Sequence, residues 1–442
     1  METKLARIAE IAKERPNERI TGLAYLINKE NITESHQHMK TGKATGVDEI
    51  TKEEYEKNLT ENIDLLIDRM KKQAYKPQPV RRTYIPKIGT DKMRPLGIPA
   101  YEDKLVQNVL NKILNAVFEG DFLDSSFGFR PNRSCHDALK VVTHIIENRK
   151  INYIVDTDIK GFFDQIDHKW IMEFIEHRIA DVNIYRLIVR FLKAGVLERG
   201  EYSNTEAGAP QGGLISPTLG NIYLHYVLDL WFEKVIRKQC KGDAYMVRYA
   251  DDSIFCFQYE EEAKAFYQQL KERLSKFKLE LADEKTKIIR FGRFAEAESN
   301  KTGGGKPETF DFLGFTHYCS KSAKGYFRVK RKTSKKKFKA SLKRCKAWLW
   351  ENLTTPTVEI MRKLAVKLKG YYRYYGVTDN SIMMGKFLDE VRSMLYKMLN
   401  RKSQKKSFNW DKYVLFLKKY PLVRPKTTVN IYELRPEISY IM

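Results

Sequence analysis

The chain has 442 residues, a formal charge of +24 and 42% hydrophobic residues. That length and composition can hold two or three domains around a large core. No run of about 18 apolar residues occurs, so no membrane-spanning helix is expected. The charged start METKLARIAEIAKERP lacks the apolar core of a signal peptide. Cys135, Cys240, Cys256, Cys319 and Cys345 form no CxxC pair, which argues against a zinc site or a disulfide framework and for a reducing, cytoplasmic setting. The charge is unevenly spread: residues 321–442 carry 31 Lys/Arg against 8 Asp/Glu, whereas residues 1–320 carry 49 against 48. So lopsided a segment is expected to face a polyanion, nucleic acid before an anionic membrane.

Residues 1–75 read as mostly helical, with apolar positions at Ile8, Ile11 and Ala12 and again from Ala24 to Ile27. Thr51-Lys-Glu-Glu54 is a capping box opening a further helix that runs to Lys72. From Tyr75 the chain becomes rich in Pro, Arg and Lys, which predicts two short strands, Val80–Ile85 and Met93–Gly97, around a loop at Lys87–Lys92. Lys87 and Arg94 bracket that loop and suit a triphosphate clamp. Tyr101–Phe118 is an amphipathic helix. Ser125–Arg133 is turn-rich, with Arg130 and Arg133 among aromatics, a pattern suited to phosphate and stacked bases; packing of Phe127 and Phe129 in the core is the plainer alternative. Ser134 caps a helix to about Asn148.

Ile151–Asp158 reads as a buried strand on which Asp156 and Asp158, two residues apart, share one face. Carboxylates in an apolar strand are costly alone and imply a cation partner. A helix begins at Asp167. In EAGAPQGGLISPTLGN, Gly208, Gly212 and Gly213 let backbone approach a ligand closely, and Ser216-Pro217 reads as an N-cap followed by proline at the first helical position. Met246–Gln258, MVRYADDSIFCFQ, reads as a β-hairpin whose turn presents Asp251 and Asp252; a divalent cation removes the repulsion of adjacent carboxylates. Glu260–Phe277 is helical, residues 278–288 read as strand, turn, strand, residues 295–308 as a polar loop, and Phe310–Phe315 opens another hairpin. Three basic helices follow at Ser334–Glu351, Thr357–Tyr375 and Ser381–Arg401, with Lys335, Lys339, Lys343 and Lys346 on one face. The tail from Lys402 is basic and contains Pro421, Pro425 and Pro436.

The order GVDEI, RRTYIPK…RPLGIP, FGFRPNRS, DTDIKGFFDQI, GAPQGGLISP, RYADD, LADEKTKI, FLGF resembles reverse transcriptases, specifically those encoded by bacterial group II introns, over roughly residues 40–400. The resemblance implies an α+β right-hand fold with helical and β-hairpin fingers, an antiparallel-sheet palm and a basic three-helix thumb. The expected divisions are an N-terminal helical extension (1–75), fingers (76–150), palm (151–320, with finger segments around 170–205), thumb or maturase region (321–400) and tail (401–442). It also implies RNA-directed DNA synthesis with two Mg²⁺ ions, Mn²⁺ being a substitute, on an RNA template with a DNA or RNA primer and dNTPs, together with binding and splicing of a group II intron RNA. Asp158, Asp251 and Asp252 match the catalytic metal ligands, and Asp156 does not match that position. Lys87, Arg94, Ile159, Phe163 and Gln211 match the nucleotide site, with Phe163 as a gate against a ribose 2′-hydroxyl. Arg130, Ala209, Pro210, Gly212, Lys335, Lys339 and Lys343 are expected on template and primer, and Lys285 is a candidate proton donor to pyrophosphate. The family's Cys/His-rich nuclease segment has no counterpart before Met442, so no DNA endonuclease activity is expected. Three alternatives stay open: a splicing cofactor with an idle polymerase, an RNA-directed RNA polymerase (against which Phe163 argues), and a relative recruited to host defence or repair.

Overall fold

A computed structural model describes residues 1–86, 93–301, 303, 305–402 and 408–435. The loop at Lys87–Lys92, including the expected triphosphate ligand Lys87, and Pro436 in the tail lie outside the described residues.

The chain opens with α1 (Glu2–Glu14), α2 (Lys29–His38), α3 (Lys52–Glu56) and α4 (Leu59–Lys71), a 3₁₀ turn at Ala24–Leu26 standing where helix was expected to resume. The Thr51/Glu54 capping box is present at α3. Strands β1 (Val80–Pro86) and β2 (Met93–Ile98) pair antiparallel, and α5 (Tyr101–Phe118) and α6 (Cys135–Asn148) follow. Ser134 caps α6 in a second reciprocal box with Asp137. Then come β3 (Tyr153–Asp158), α7 (Phe162–Gln165), α8 (His168–Glu176) capped by Asp167, α9 (Val182–Leu192), β4 (Val196–Glu198) and β5 (Glu201–Ser203). β4 and β5 complete a four-stranded sheet in the order β2-β1-β4-β5.

Helix α10 (Ser216–Leu224) starts one residue earlier than the sequence suggests: Ile215 is its N-cap, and the Ser216 hydroxyl instead donates to the Pro210 carbonyl at 2.8 Å. It continues through two π-helical turns, His225–Asp229 and Phe232–Ile236, into α11 (Arg237–Gln239). The hairpin β6 (Ala244–Tyr249) and β7 (Asp252–Phe257) is followed by α12 (Glu260–Lys276) and β8 (Lys287–Arg290). The first strand expected in 278–288 is reduced to one bridge, Ile159 to Leu281. The stretch read as a polar loop contains α13 (Ala295–Lys301). Strands β9 (Phe310–Phe312), β10 (Phe315–Lys321) and β11 (Phe327–Thr333) make a meander, and the basic helices are α14 (Lys335–Glu351), α15 (Thr357–Tyr375) and α16 (Ser381–Arg401). The tail holds α17 (Trp410–Lys419) and folds back: Tyr413 and Ile431 are buried, and Val429 bridges Val377 after α15.

The central sheet, ordered β6-β7-β3-β8, is antiparallel throughout and separates two apolar cores. Period-2 alternation sorts its residues. Val155 and Phe255 join α5, α8, α10 and α12 on one face, whereas Ile154, Ile254 and Cys256 join α6, the β9–β11 meander and α14–α16 on the other. The second face is the one on which the acidic residues stand, so their position between sheet and basic helices follows from the alternation.

Candidate active site

Asp158 on β3 lies directly opposite Asp252 on β7, and Asp156 opposite Ile254. Asp156, Asp158 and Asp252 therefore share the face turned toward the basic helices, and Asp251 stands in the tight turn before β7. Ala250 in that turn has φ +58°, a conformation most side chains avoid. Burial, and after it the charges of Asp156, Asp251 and Asp158, push the Asp252 carboxyl well above the ordinary range. Asp156 is pushed up to about 7 by burial, then by Asp311 and Asp158. The sequence left Asp156 out of the site; the fold puts it beside the other carboxylates.

Among the described residues, no three His, Cys, Asp or Glu side chains already form a metal-binding group. Asp158 is engaged by the Lys285 ammonium, which pairs with it. The donor set nonetheless fits a divalent ion: burial first, and neighbouring carboxylates after it, raise Asp252 and Asp156, and a cation among such hard oxygen donors relieves both costs.

Asp251 and Asp252 line a cleft of about 1120 Å³, with Asp158 beside Asp252 on the neighbouring strand. Arg94, Phe163, Gln211 and Gly212 line one side of it, and Lys337, Arg344 and Lys367 the other. Lys337 is close enough to sense both Arg94 and Asp252, and burial is the main cause of its lowered pKa. Gly212, at φ +112°, passes so near Gly97 that a Cβ would meet its carbonyl at 2.7 Å, which is the close backbone approach that needs glycine. Phe163 stands in T-shaped contact with Phe162 at 5.1 Å, and a Cβ on Gly220 would come within 3.1 Å of the Phe163 ring. Its carbonyl also accepts the Ala209 N–H at 2.8 Å. The ring is thus seated on α10 and tied to the Gly-rich loop.

Several expected contacts fall elsewhere. Arg130 is buried: it pairs with Glu119 at 2.8 Å and donates to the carbonyls of Leu123 and Ser126 at 2.6 and 2.8 Å. Its fork is consumed inside the protein, which corrects its assignment to template or primer. Phe127 is buried while Phe129, 55% exposed, lines the cleft, so the two aromatics divide between core and surface. Ala209 and Ile159 are buried, the Ala209 N–H is spent on the Phe163 carbonyl, and Pro210 and Ala209 border a smaller recess on the β1–β4 side. Lys335, Lys339 and Lys343 are exposed. At about 100° per residue they lie on the far side of α14 from Lys337, Ser341 and Arg344, so they do not line the cleft. Sequence reasoning missed Lys337, Arg344 and Lys367, although Lys337 and Arg344 are seven residues apart, a helical repeat that marks a second basic face.

A three-layered palm with carboxylates on its sheet, a β-hairpin sheet to one side and a basic helical wall opposite defines a right-hand nucleic-acid polymerase fold. The family described as reverse transcriptase (RNA-dependent DNA polymerase) matches residues 85–317, more than half of the chain, and the protein belongs to that family. Its members use divalent metal ions and bind RNA. The chain is 42% identical over 231 residues to the group II intron-encoded protein LtrA of Lactococcus lactis subsp. cremoris, covering 51% of this chain and 38% of that one. It is 33% identical over 245 residues to protein YkfC of Escherichia coli (strain K12), covering 54% and 64%. Against the putative COX1/OXI3 intron 1 protein of Saccharomyces cerevisiae it is 37% identical over 169 residues, covering 38% and 20%. The match thus spans well under half of LtrA's length. No helix among the described residues is long and apolar enough to cross a membrane.

Proposed function

We propose that this protein is an RNA-directed DNA polymerase that also binds a group II intron RNA and assists its splicing. The observation that carries the polymerase reading is the register of Asp158 against Asp252, with Asp251 in the adjoining turn, where Asp251 and Asp252 line a cleft that also holds Lys337, Arg344 and Lys367. Acid and base are segregated as a growing strand requires: phosphates toward Lys337, Arg344 and Lys367, the reacting end toward the carboxylates. Asp158, Asp251 and Asp252 would hold two Mg²⁺ ions, or Mn²⁺ in their place, which supply Lewis-acid polarisation of the α-phosphate and a lowered pKa for the primer hydroxyl. Arg94 neutralises the triphosphate. Gln211 and Gly212 bound the nascent base pair, and Phe163 closes the space that a 2′-hydroxyl would occupy. The protein's own contribution is mainly orientation of the primer 3′-hydroxyl for in-line attack, and exclusion of water by the aromatic and helical walls.

The intron reading rests on the relatives, two of which carry an intron in their printed descriptions, and on the basic face of α14 that the cleft does not use. The domain divisions expected from the sequence are retained as part of this proposal.

The test is primer extension with purified protein, an annealed RNA template and DNA primer, dNTPs and Mg²⁺. Asp251→Asn should abolish extension and leave template–primer affinity nearly unchanged. Extension at the parental rate by this variant would remove Asp251 from the site. For the second role, the intron RNA transcribed from the DNA surrounding the gene should splice faster at low Mg²⁺ when the protein is added; no acceleration, with extension intact, would leave the polymerase alone.

A further inference from the structure

The turn carrying Asp251 is strained at Ala250, so something must hold it. Directly behind it lies a buried polar network that the reading so far leaves without a task. Arg248 and Asp229 are fully buried, and the guanidinium meets the carboxylate through two parallel bonds, Nε to Oδ1 at 2.7 Å and Nη2 to Oδ2 at 2.5 Å. The remaining nitrogen, Nη1, donates to the Ala250 carbonyl at 2.9 Å and to Asn221 Oδ1 at 3.1 Å. Asn221 Nδ2 in turn donates to the Gly128 carbonyl at 2.8 Å.

Gly128 completes the clamp from the other side. It lies so close to the turn that a Cβ there would sit 2.3 Å from the Ala250 nitrogen. The Arg248 backbone pairs with the same loop, donating to the Ser125 carbonyl at 2.8 Å and accepting from the Phe127 N–H at 2.9 Å. Asp229 is the last residue of the π-helical turn that follows α10. Such turns insert an extra residue and re-aim those after it, and they recur at functional sites.

Stability alone is a weak reason for this arrangement, because a buried ion pair is commonly replaceable by apolar side chains at little cost. What an apolar pair cannot do is grip a carbonyl in the turn. Four acceptors, the two Asp229 oxygens, Asn221 Oδ1 and the Ala250 carbonyl, surround one planar fork, a geometry that a lysine ammonium cannot span.

We propose that Arg248, anchored by Asp229 and Asn221, is a positioning residue for the catalytic turn: by fixing the Ala250 carbonyl it sets the direction in which Asp251 and Asp252 meet divalent metal. This rests on the reading of those carboxylates as metal ligands, so its test measures metal binding apart from turnover. Mn²⁺ binding to the full chain without substrate, read by electron paramagnetic resonance, is paired with the Mg²⁺ dependence of single-nucleotide addition, template–primer affinity and the thermal midpoint.

Three variants separate positioning from packing. Arg248→Lys keeps the charge and loses the fork. Asn221→Ala leaves the ion pair intact and cuts its link to Gly128. The double variant Arg248→Met/Asp229→Leu keeps the volume apolar and neutral. The expected result is Mn²⁺ affinity lowered by about 10-fold or more in Arg248→Lys and in the double variant, the range seen for outer partners of metal ligands. The half-saturating Mg²⁺ should rise in parallel, Asn221→Ala should shift both in the same direction, and template–primer affinity should stay within about two-fold. Parental Mn²⁺ affinity and Mg²⁺ dependence in folded Arg248→Lys would overturn the proposal. Should that variant fail to fold, parental values in Asn221→Ala would overturn it equally. A parent that neither binds Mn²⁺ nor extends a primer would instead sink the polymerase reading.

Discussion

Lys285 and Asp158 meet as an ion pair at the open end of the central sheet, so an ammonium stands against the carboxylate expected to hold metal. The backbone of the Ala282–Thr286 turn, where the Lys285 and Thr286 N–H groups both donate to the Ala282 carbonyl at 2.9 Å, presents the side chain to Asp158. On the proposed reading, a metal held by Asp158 would displace the lysine and leave its ammonium free to protonate the leaving pyrophosphate. Lys285→Ala should therefore slow nucleotide addition by about 10²-fold at saturating Mg²⁺, the lower range for a lost general acid. Lys285→Arg should not restore the rate, because a guanidinium keeps its proton. Rapid-quench measurement of single-turnover incorporation checks both; a parental rate in either variant would leave Lys285 only its ion pair.

Phe163 is held by its neighbours rather than by its own preference. Its ring is packed on Phe162, and Gly220 leaves room for it on the surface of α10. As the proposed gate, a wall so seated would discriminate by contact, and removing it would open space for one oxygen. Phe163→Ala should raise ribonucleotide incorporation relative to deoxynucleotide by about 10- to 100-fold, the worth of one well-placed steric contact. Ratios of kcat/KM for matched rNTP and dNTP decide it. Gly220→Ala is the companion, since a methyl there displaces the ring and should alter the same ratio with Phe163 present.

The two basic faces of α14 predict opposite outcomes. Lys337 and Arg344, with Lys367 of α15, line the cleft, and each phosphate they contact releases counterions. Replacing any one with Gln should weaken template–primer binding and reduce the slope of log affinity against log salt by about 1. The triple change Lys335→Gln, Lys339→Gln, Lys343→Gln should leave that slope unchanged and reduce affinity for the intron RNA. Filter binding across a salt series, with each nucleic acid in turn, separates the two.

What could be read in the sequence was what local pattern controls. The bounds of α5, α15 and α16, the Thr51/Glu54 capping box, the Ser134 cap and the hairpin presenting Asp251 follow from periodicity and turn chemistry, and all are present. That Asp158, Asp251 and Asp252 belong together came from the resemblance; the register that sets Asp158 opposite Asp252 did not show in either strand alone. Choices made by packing were not legible. Which lysines of α14 meet the cleft depends on how that helix docks against α16. Arg130 is spent on Glu119 because the chain folds the FGFRP loop back over the end of α5, a contact no spacing announces. The π-helical turns after α10 look like ordinary helix in sequence, and so the partner of Arg248 stayed hidden. The tail reads as a basic extension, yet Tyr432 reaches Asp379 at 2.7 Å and Arg435 reaches the Asn132 carbonyl at 2.9 Å, tying it to the α15–α16 connection and to the start of α6.

His317 gives a prediction about acid sensitivity. It lies on β10 opposite Phe310, fully buried, with its ring stacked on that phenyl at 4.7 Å. Burial, and next the adjacent Arg331 guanidinium, hold its pKa down to about 3. An unfolded histidine takes up its proton near pH 6.5. Between those values the unfolded chain binds the extra proton and the folded chain refuses it, so the stabilisation is complete above about pH 6.5 and falls as the pH drops, by up to about 1.4 kcal/mol per unit. His317→Phe keeps an aromatic of similar size against Phe310 and has nothing to protonate. Urea unfolding at pH 7.5, 6 and 4.5, values chosen to bracket about 6.5, should show the parent losing stability relative to the variant at each step downward, by about 2–3 kcal/mol in total. A difference between the two proteins that stays constant across that range would mean that His317 is not the group that couples folding to acid.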